Sequence, residues 1–235
     1  MPSLPPLLLF ANRDEAFDRP SSPPSVIEGD PPILAPRDLE AGGTWLGVNA
    51  HGVVAALTNR PHPPADRILP SRGLLVLRAL RHREPGRAVR SLKEDLERAP
   101  TNPFNLLVAN GEEAHWLRLG EGLEHRRLEP GIHTLTNDHD LDRLPWRGSP
   151  EGEGWRSASQ ALDEALALLR DHGEVYPEYP LCKHGEAHGT VSAAYLVLGT
   201  PASGDLRLAY AAGPPCRIPF TDYSDLLRDL LGRSA

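Results

Sequence analysis

Short runs of strand-forming residues recur along this chain, joined by turns too tight for a crossover, and they restrict it to mainly antiparallel sheet. The clearest is GGTWLGVNAHGVVAALTN (42–59), in which two β-rich runs flank Asn49-Ala50-His51-Gly52 and read as a hairpin. FNLLVAN (104–110), AHWLRLG (114–120) and LEHRRLE (123–129) read as a meander, turned at Asn110-Gly111 and Glu121-Gly122. IHTLTN (132–137) reads as a further strand, and VSAAYLVLG with LRLAYAAG as a C-terminal hairpin. Parallel neighbours need a long crossover, so tight turns imply antiparallel pairs.

Helical patterns lie between these runs. Ser71 reads as the N-cap of a helix running to about Arg83, broken at Pro85-Gly86. A second helix puts Val89, Leu92 and Leu96 on one face and stops at Pro100 and Pro103. WRSASQALDEALALLRDHG (155–173) is the strongest pattern, with Ala158, Leu162, Ala165, Leu166 and Leu169 on one face and Gly173 at its end. SDLLRDLLG closes as a short helix. Residues 16–32 hold five prolines and read as a long surface loop, and 138–154 as a polar loop. With no repeat and no linker, the reading is one α+β domain over residues 1–235, its helices outside the sheets.

Composition narrows the partners. Twenty-five Lys and Arg against 32 Asp and Glu leave a net charge of −7, which disfavours nucleic acid or an anionic membrane as partner. Two cysteines are no disulfide framework and fit a reducing compartment. The start, MPSLPPLLLF, has no basic region, and its apolar run is too short for a span or a signal peptide. The expectation is a cytoplasmic protein with a small-molecule ligand or substrate.

Leu7–Phe10 reads as a strand covered on both faces, over residues 7–11, that empties directly into Asn12-Arg13-Asp14-Glu15. Such a tetrad is costly unless its members pair or face a cleft. It is either an ion-pair cluster, with Asp14 or Glu15 paired to Arg13, Arg19 or Arg37, or the floor of a site. Trp45 reads first as a core residue at a strand entry, with ligand binding as the other role. Asn59 and Asn137 close matching LTN phrases, where Asn either turns the chain or serves a ligand. Cys182, His184 and His188 offer thiolate and imidazole within seven residues, with Cys216 as a distant fourth ligand. That spacing is no standard zinc pattern, so the expectation is surface histidines and no metal. Cys216 itself reads as a packed small residue.

Four phrases, ANRDEAFDRP, GGTWLGVNAHGVVAALTN, LTN at 135–137 and HGTVSAAYLVL (188–198), together resemble the NRDE family, also called the transport and Golgi organisation protein 2 family. The resemblance runs in order across most of the chain. It implies a four-layer αββα sandwich like that of N-terminal-nucleophile hydrolases, in which an N-terminal Cys, Ser or Thr attacks an amide or ester carbonyl and the free α-amine is the base. It also implies catalytic roles: Arg13 and Asp14 beside the nucleophile and Asn137 as an oxyanion donor. Asn12, Glu15, Trp45 and Asn59 would line the ligand site. No cofactor is required by this reading, although the family's proposed role in haem handling makes haem a ligand to consider.

The chain departs from the pattern in two places. It has no Cys near its start, and Pro2, Pro5 and Pro6 leave no room for a first strand, so Ser3 is a poor substitute. The expectation is a domain lacking its first strand and nucleophile, because the native start lies upstream or because catalysis was lost. The family's GTRSS phrase reads Gly189-Thr190-Val191-Ser192-Ala193, with Val191 in place of Arg. Two functions follow: a C–N or ester bond hydrolase, or a non-catalytic carrier for haem, an acyl thioester or a similar hydrophobic anion.

Overall fold

A computed structural model describes residues 5–61, 65–66, 68–143, 157–199 and 204–233. In chain order the strands and helices are β1 (Leu7–Ala16), β2 (Ser21–Ile27), β3 (Ile33–Asp38), β4 (Leu46–Asn49), β5 (Val54–Asn59), α1 (Gly73–Ala79), α2 (Pro85–Arg98), β6 (Phe104–Ala109), β7 (Ala114–Leu119) and β8 (Leu123–Leu128). Then come α3 (Ala158–Leu169), β9 (His188–Leu198), β10 (Leu206–Ala211), β11 (Thr221–Asp222) and α4 (Ser224–Gly232). Every strand pair among the described residues is antiparallel, as tight turns require of the hairpin neighbours. Contacts divide the chain into two compact units, one formed by residues 1–20 with 146–228, the other by 21–145 with 229–235.

The second unit holds a seven-stranded sheet ordered β2-β3-β4-β5-β6-β7-β8, each strand beside its sequence neighbour. Period-two alternation sends Phe104, Leu106 and Val108 to one face, where Leu75, Val76, Leu80, Val89 and Leu92 of the two helical segments meet them. The Gly42-Gly43 bend packs against the start of α1. A Cβ on Gly43 would lie 2.6 Å from the backbone carbon of Gly73, and Thr44 N donates to Gly73 O at 3.2 Å. The first unit holds a four-stranded sheet ordered β1-β9-β10-β11. Leu166 and Leu169 of α3 cover its Phe10, Ala193 and Ala211.

Several local readings change. Residues 21–27 form β2 rather than loop, because Pro23 and Pro24 coincide with an irregularity in the pairing with β3 on an edge strand, where a missing N–H is tolerated. Helix α1 starts at Gly73 and ends at Ala79, with Arg72 rather than Ser71 at the N-cap. Pro85, read as a breaker, opens α2, where its absent N–H would have had no partner. The buried face of α3 is Ala161, Ala165, Leu168 and Leu169, with Ser157 as its N-cap. Residues 132–137 are not a strand. Ile132 stays exposed, so the segment has no apolar face to bury. Among the described residues no helix is long and apolar enough to cross a membrane.

Candidate functional site

Strand β1 does not stop before the charged tetrad but carries it, running to Ala16. Strand alternation therefore splits the tetrad between two faces. Asn12 and Asp14 share the α3 side with Phe10. Asn12 Nδ2 donates to Leu169 O at 2.8 Å and Leu181 O at 2.7 Å, bracing the end of α3 and the segment before β9 against β1. Asp14 accepts from Thr190 Oγ1 at 2.7 Å and lies 3.3 Å from Lys183 Nζ. Lys183 N in turn donates to Thr190 Oγ1 at 2.9 Å. Burial pulls the Lys183 ammonium pKa down, but the hydrogen bond to Tyr179 and the Asp14 charge outweigh it, so the group stays charged beyond the ordinary lysine range.

Arg13 and Glu15 project to the opposite face, with Arg13 buried and its guanidinium 3.9 Å from Glu15, which also meets Arg19 at 3.8 Å. Arg13 and Asp14 therefore do not pair with each other. Between them the register with β9 slips: Arg13 faces Ser192 but Asp14 faces Thr190, leaving Val191 as the extra residue of a β-bulge. The position where the resemblance expects Arg is this unpaired bulge residue. The bulge is what sets Thr190, rather than Val191, opposite Asp14.

The second unit gathers the other candidates. Trp45 is half-buried beside β4, and its carbonyl accepts from Leu57 N at 2.8 Å. The two LTN phrases meet: Thr58 Oγ1 donates to Thr136 O at 3.2 Å, and Asn105 Nδ2 reaches both Thr58 Oγ1 and Thr136 O. Asn59 thus ends β5 and Asn137 sits at a bend next to that junction. Asn105, fully buried mid-strand, is the organising residue that sequence reading missed. Its signal was a lone Asn in the apolar run FNLLVA, since buried amides are hydrogen-bonded. The loop around Asn137 is pinned again by Asp140, which pairs with Arg60 at 3.0 Å and Arg118 at 2.9 Å.

Near Lys183, four ligand-bearing side chains converge: His172, Cys182, His184 and Cys216. Cys182 and His184 were candidates from the sequence, and Cys216 was the proposed fourth. His188 is not among them, because it opens β9 opposite Ala16. His172, just past α3, takes its place, and nothing in the local sequence marks it. The two cysteines are free, with sulfurs 3.6 Å apart. Burial and the neighbouring Cys216 push the Cys182 thiol up to about 11. Desolvation, Arg217 and His172 hold His184 below the ordinary imidazole value, so it is neutral near pH 7.

Comparison with known proteins sets this geometry in context. Residues 3–170 match the family model described as Transport and Golgi organisation 2. The human Transport and Golgi organization protein 2 homolog is 35% identical over 174 residues, which cover 70% of this chain and 61% of the relative. The bovine homolog is 33% identical over 173 residues with the same coverage. The match thus spans less than two thirds of the length of these relatives. Among solved structures, an arginine-to-leucine variant of the conjugated bile acid hydrolase from Clostridium perfringens superposes with a TM-score of 0.50 at 12% identity, covering 93% of this chain and 89% of that one. A cysteine-to-alanine variant of the same hydrolase gives 0.51 at 11% identity with equal coverage. The likeness is one of fold. It bears out the α+β, N-terminal-nucleophile-hydrolase-like class that the motifs implied.

Proposed function

Since the chain belongs to the Transport and Golgi organisation 2 family and has an N-terminal-nucleophile-hydrolase fold, we propose that it hydrolyses a C–N or ester bond in a small, non-peptide substrate. The observation that supports this reading is the Asp14 carboxylate. It is mostly buried, oriented by Thr190 and Lys183, and set at a β-bulge. A carboxylate fixed in this way is suited to orient an amine that takes a proton from a nucleophile. Thr190 is not that nucleophile, because its hydroxyl already donates to Asp14 and accepts from Lys183 N. Ser3 lies outside the described residues. Asn137 is the candidate amide donor to the oxyanion.

The test uses protein from its native source, with its N-terminus fixed by sequencing and intact mass. That protein is assayed on a panel of amides, esters and thioesters. The expected result is turnover of one class, reduced about a hundredfold or more in kcat by Asp14→Asn and by Asn137→Ala. Turnover unchanged by either substitution, or none with any substrate, overturns the reading. Saturable binding of haem or an acyl thioester without turnover would replace it with the carrier function.

A further inference from the structure

The four side chains beside Lys183 come from three separate stretches: His172 after α3, Cys182 and His184 before β9, and Cys216 between β10 and β11. Their donor atoms all lie within 4.8 Å of one another. Cys182 Sγ is 3.6 Å from Cys216 Sγ and 3.7 Å from His184 Nε2. His184 Nε2 is 3.3 Å from Cys216 Sγ and 3.3 Å from His172 Nε2. Zinc bonds of about 2.3 Å to sulfur and about 2.0–2.1 Å to nitrogen at tetrahedral angles separate the ligands by about 3.8 Å (S to S), about 3.5 Å (S to N) and about 3.3 Å (N to N). The four short separations lie within about 0.2 Å of those values, and the His172 nitrogen lies within 4.8 Å of both sulfurs.

Hydrogen bonding does not account for the convergence. His184 Nε2 is either one donor or one acceptor, yet three ligand atoms lie within 3.7 Å of it. A single central cation satisfies all four at once. The stretches are held together independently of the four side chains. Asn12 braces the carbonyls of Leu169 and Leu181, Cys182 N donates to Asp171 O at 2.8 Å, and Arg170 Nε donates to Pro215 O at 3.1 Å. Close approach fixes the loop into β9 as well: a Cβ on Gly189 would lie 2.6 Å from Lys183 O.

We propose that His172, Cys182, His184 and Cys216 form a four-coordinate zinc site. Two thiolates and two neutral imidazoles match a divalent ion of borderline softness in tetrahedral geometry. Binding replaces the two thiol protons, which pass to solvent, and leaves the site electrically neutral. Four protein ligands leave no open position, so the ion is structural. It clamps the end of α3, the approach to β9 and the β10–β11 connection to one another. Lys183 lies between two of the ligands, so the ion also fixes the ammonium that pairs with Asp14.

The experiment is metal titration of the reduced full chain. Zinc is added in competition with a chromogenic chelator, and cobalt(II) in a parallel optical titration. The expected result is one zinc per chain, a rise in Tm on binding, and a cobalt complex with intense tetrahedral d–d bands and thiolate-to-cobalt charge transfer. Cys216→Ser should abolish the charge transfer from that thiolate. His172→Ala, at an exposed position, should weaken zinc by more than the about 10–100-fold that loss of an outer hydrogen-bond partner costs. His188→Ala should bind zinc as the parent does. No zinc binding, an octahedral cobalt spectrum, or equal zinc affinity in His172→Ala and the parent overturns the proposal. So does purified protein lighter by a pair of hydrogens, with Cys182 and Cys216 joined in a peptide map, because a resident disulfide leaves no thiolates for the ion.

Discussion

The two sheets are connected in opposite ways. In the seven-stranded sheet every strand pairs with the next one in the sequence, and each pairing except β5–β6, which α1 and α2 separate, closes a short loop. In the four-stranded sheet β1 pairs along its whole length with β9, setting Leu7 opposite Leu198 and Ala16 opposite His188. The first arrangement stores its stability in a helix-covered apolar face. The second brings polar groups from distant stretches to one strand, and it is here that Asn12, Asp14, Lys183, Thr190 and the Cys–His cluster meet. Distant pairing costs more chain entropy than local pairing and can juxtapose residues that no hairpin could.

The largest effect should come from the meander core. Phe104 is fully buried against α1 and α2 residues. Phe104→Ala should cost about 3–5 kcal/mol, read as a drop in the urea midpoint with the slope unchanged. A loss below about 1 kcal/mol would mean that the helix-covered face is not where this unit keeps its stability.

In the four-stranded unit a single amide should matter nearly as much. Asn12→Ala leaves the carbonyls of Leu169 and Leu181 without their donor, at about 1–3 kcal/mol for buried groups. Asn12→Asp should be worse, since a carboxylate would face two carbonyls. Hydrogen exchange should report a local opening first, at Cys182 N, which donates to Asp171 O. A uniform drop in protection across both sheets would instead mean that Asn12 acts through global stability alone.

The same contrast explains what the sequence made legible. The hairpin at 46–59 and the meander at 104–128 are local and carry turn residues at fixed offsets, so pattern reading finds both. The tetrad was legible as a cost that some partner must offset. Its partners were not, because Lys183 and Thr190 lie about 170 residues away and no periodicity links them to Asp14. The split of Arg13 and Asp14 between two faces follows from strand alternation once β1 is known to continue through them. The sequence hid that continuation, since apolar residues end at Ala11 while the backbone pairing does not. His172 is the extreme case, brought to the cluster by the end of a helix and a turn fixed by Asp171.

The smallest effect should be a pH dependence in the loop that carries Asn137, where the ties are local again. His133 lies between two acceptors: Nδ1 is 2.9 Å from Asp142 Oδ2, and Nε2 is 2.9 Å from Glu129 O. Only the doubly protonated ring can donate to both. Burial alone lowers the His133 pKa, but the Glu129 carbonyl and the Asp142 carboxylate outweigh it and raise it. A raised folded pKa means that this contribution is complete below the ordinary histidine value and is lost as pH climbs through the raised one. An NMR titration should place the His133 midpoint above about 6.5, and the Thr134 amide, which donates to Asp142 at 2.9 Å, should titrate with it. His133→Gln should remove that step from Thr134. The loop should not detach at high pH, because Asp140 also ties it to Arg60 and Arg118 and Thr136 ties it to Thr58 and Asn105, contacts that do not involve His133. A midpoint at or below about 6.5 would mean that solvent, not Asp142, sets the charge of His133. The loop would then be held by Asp140 and Thr136 alone.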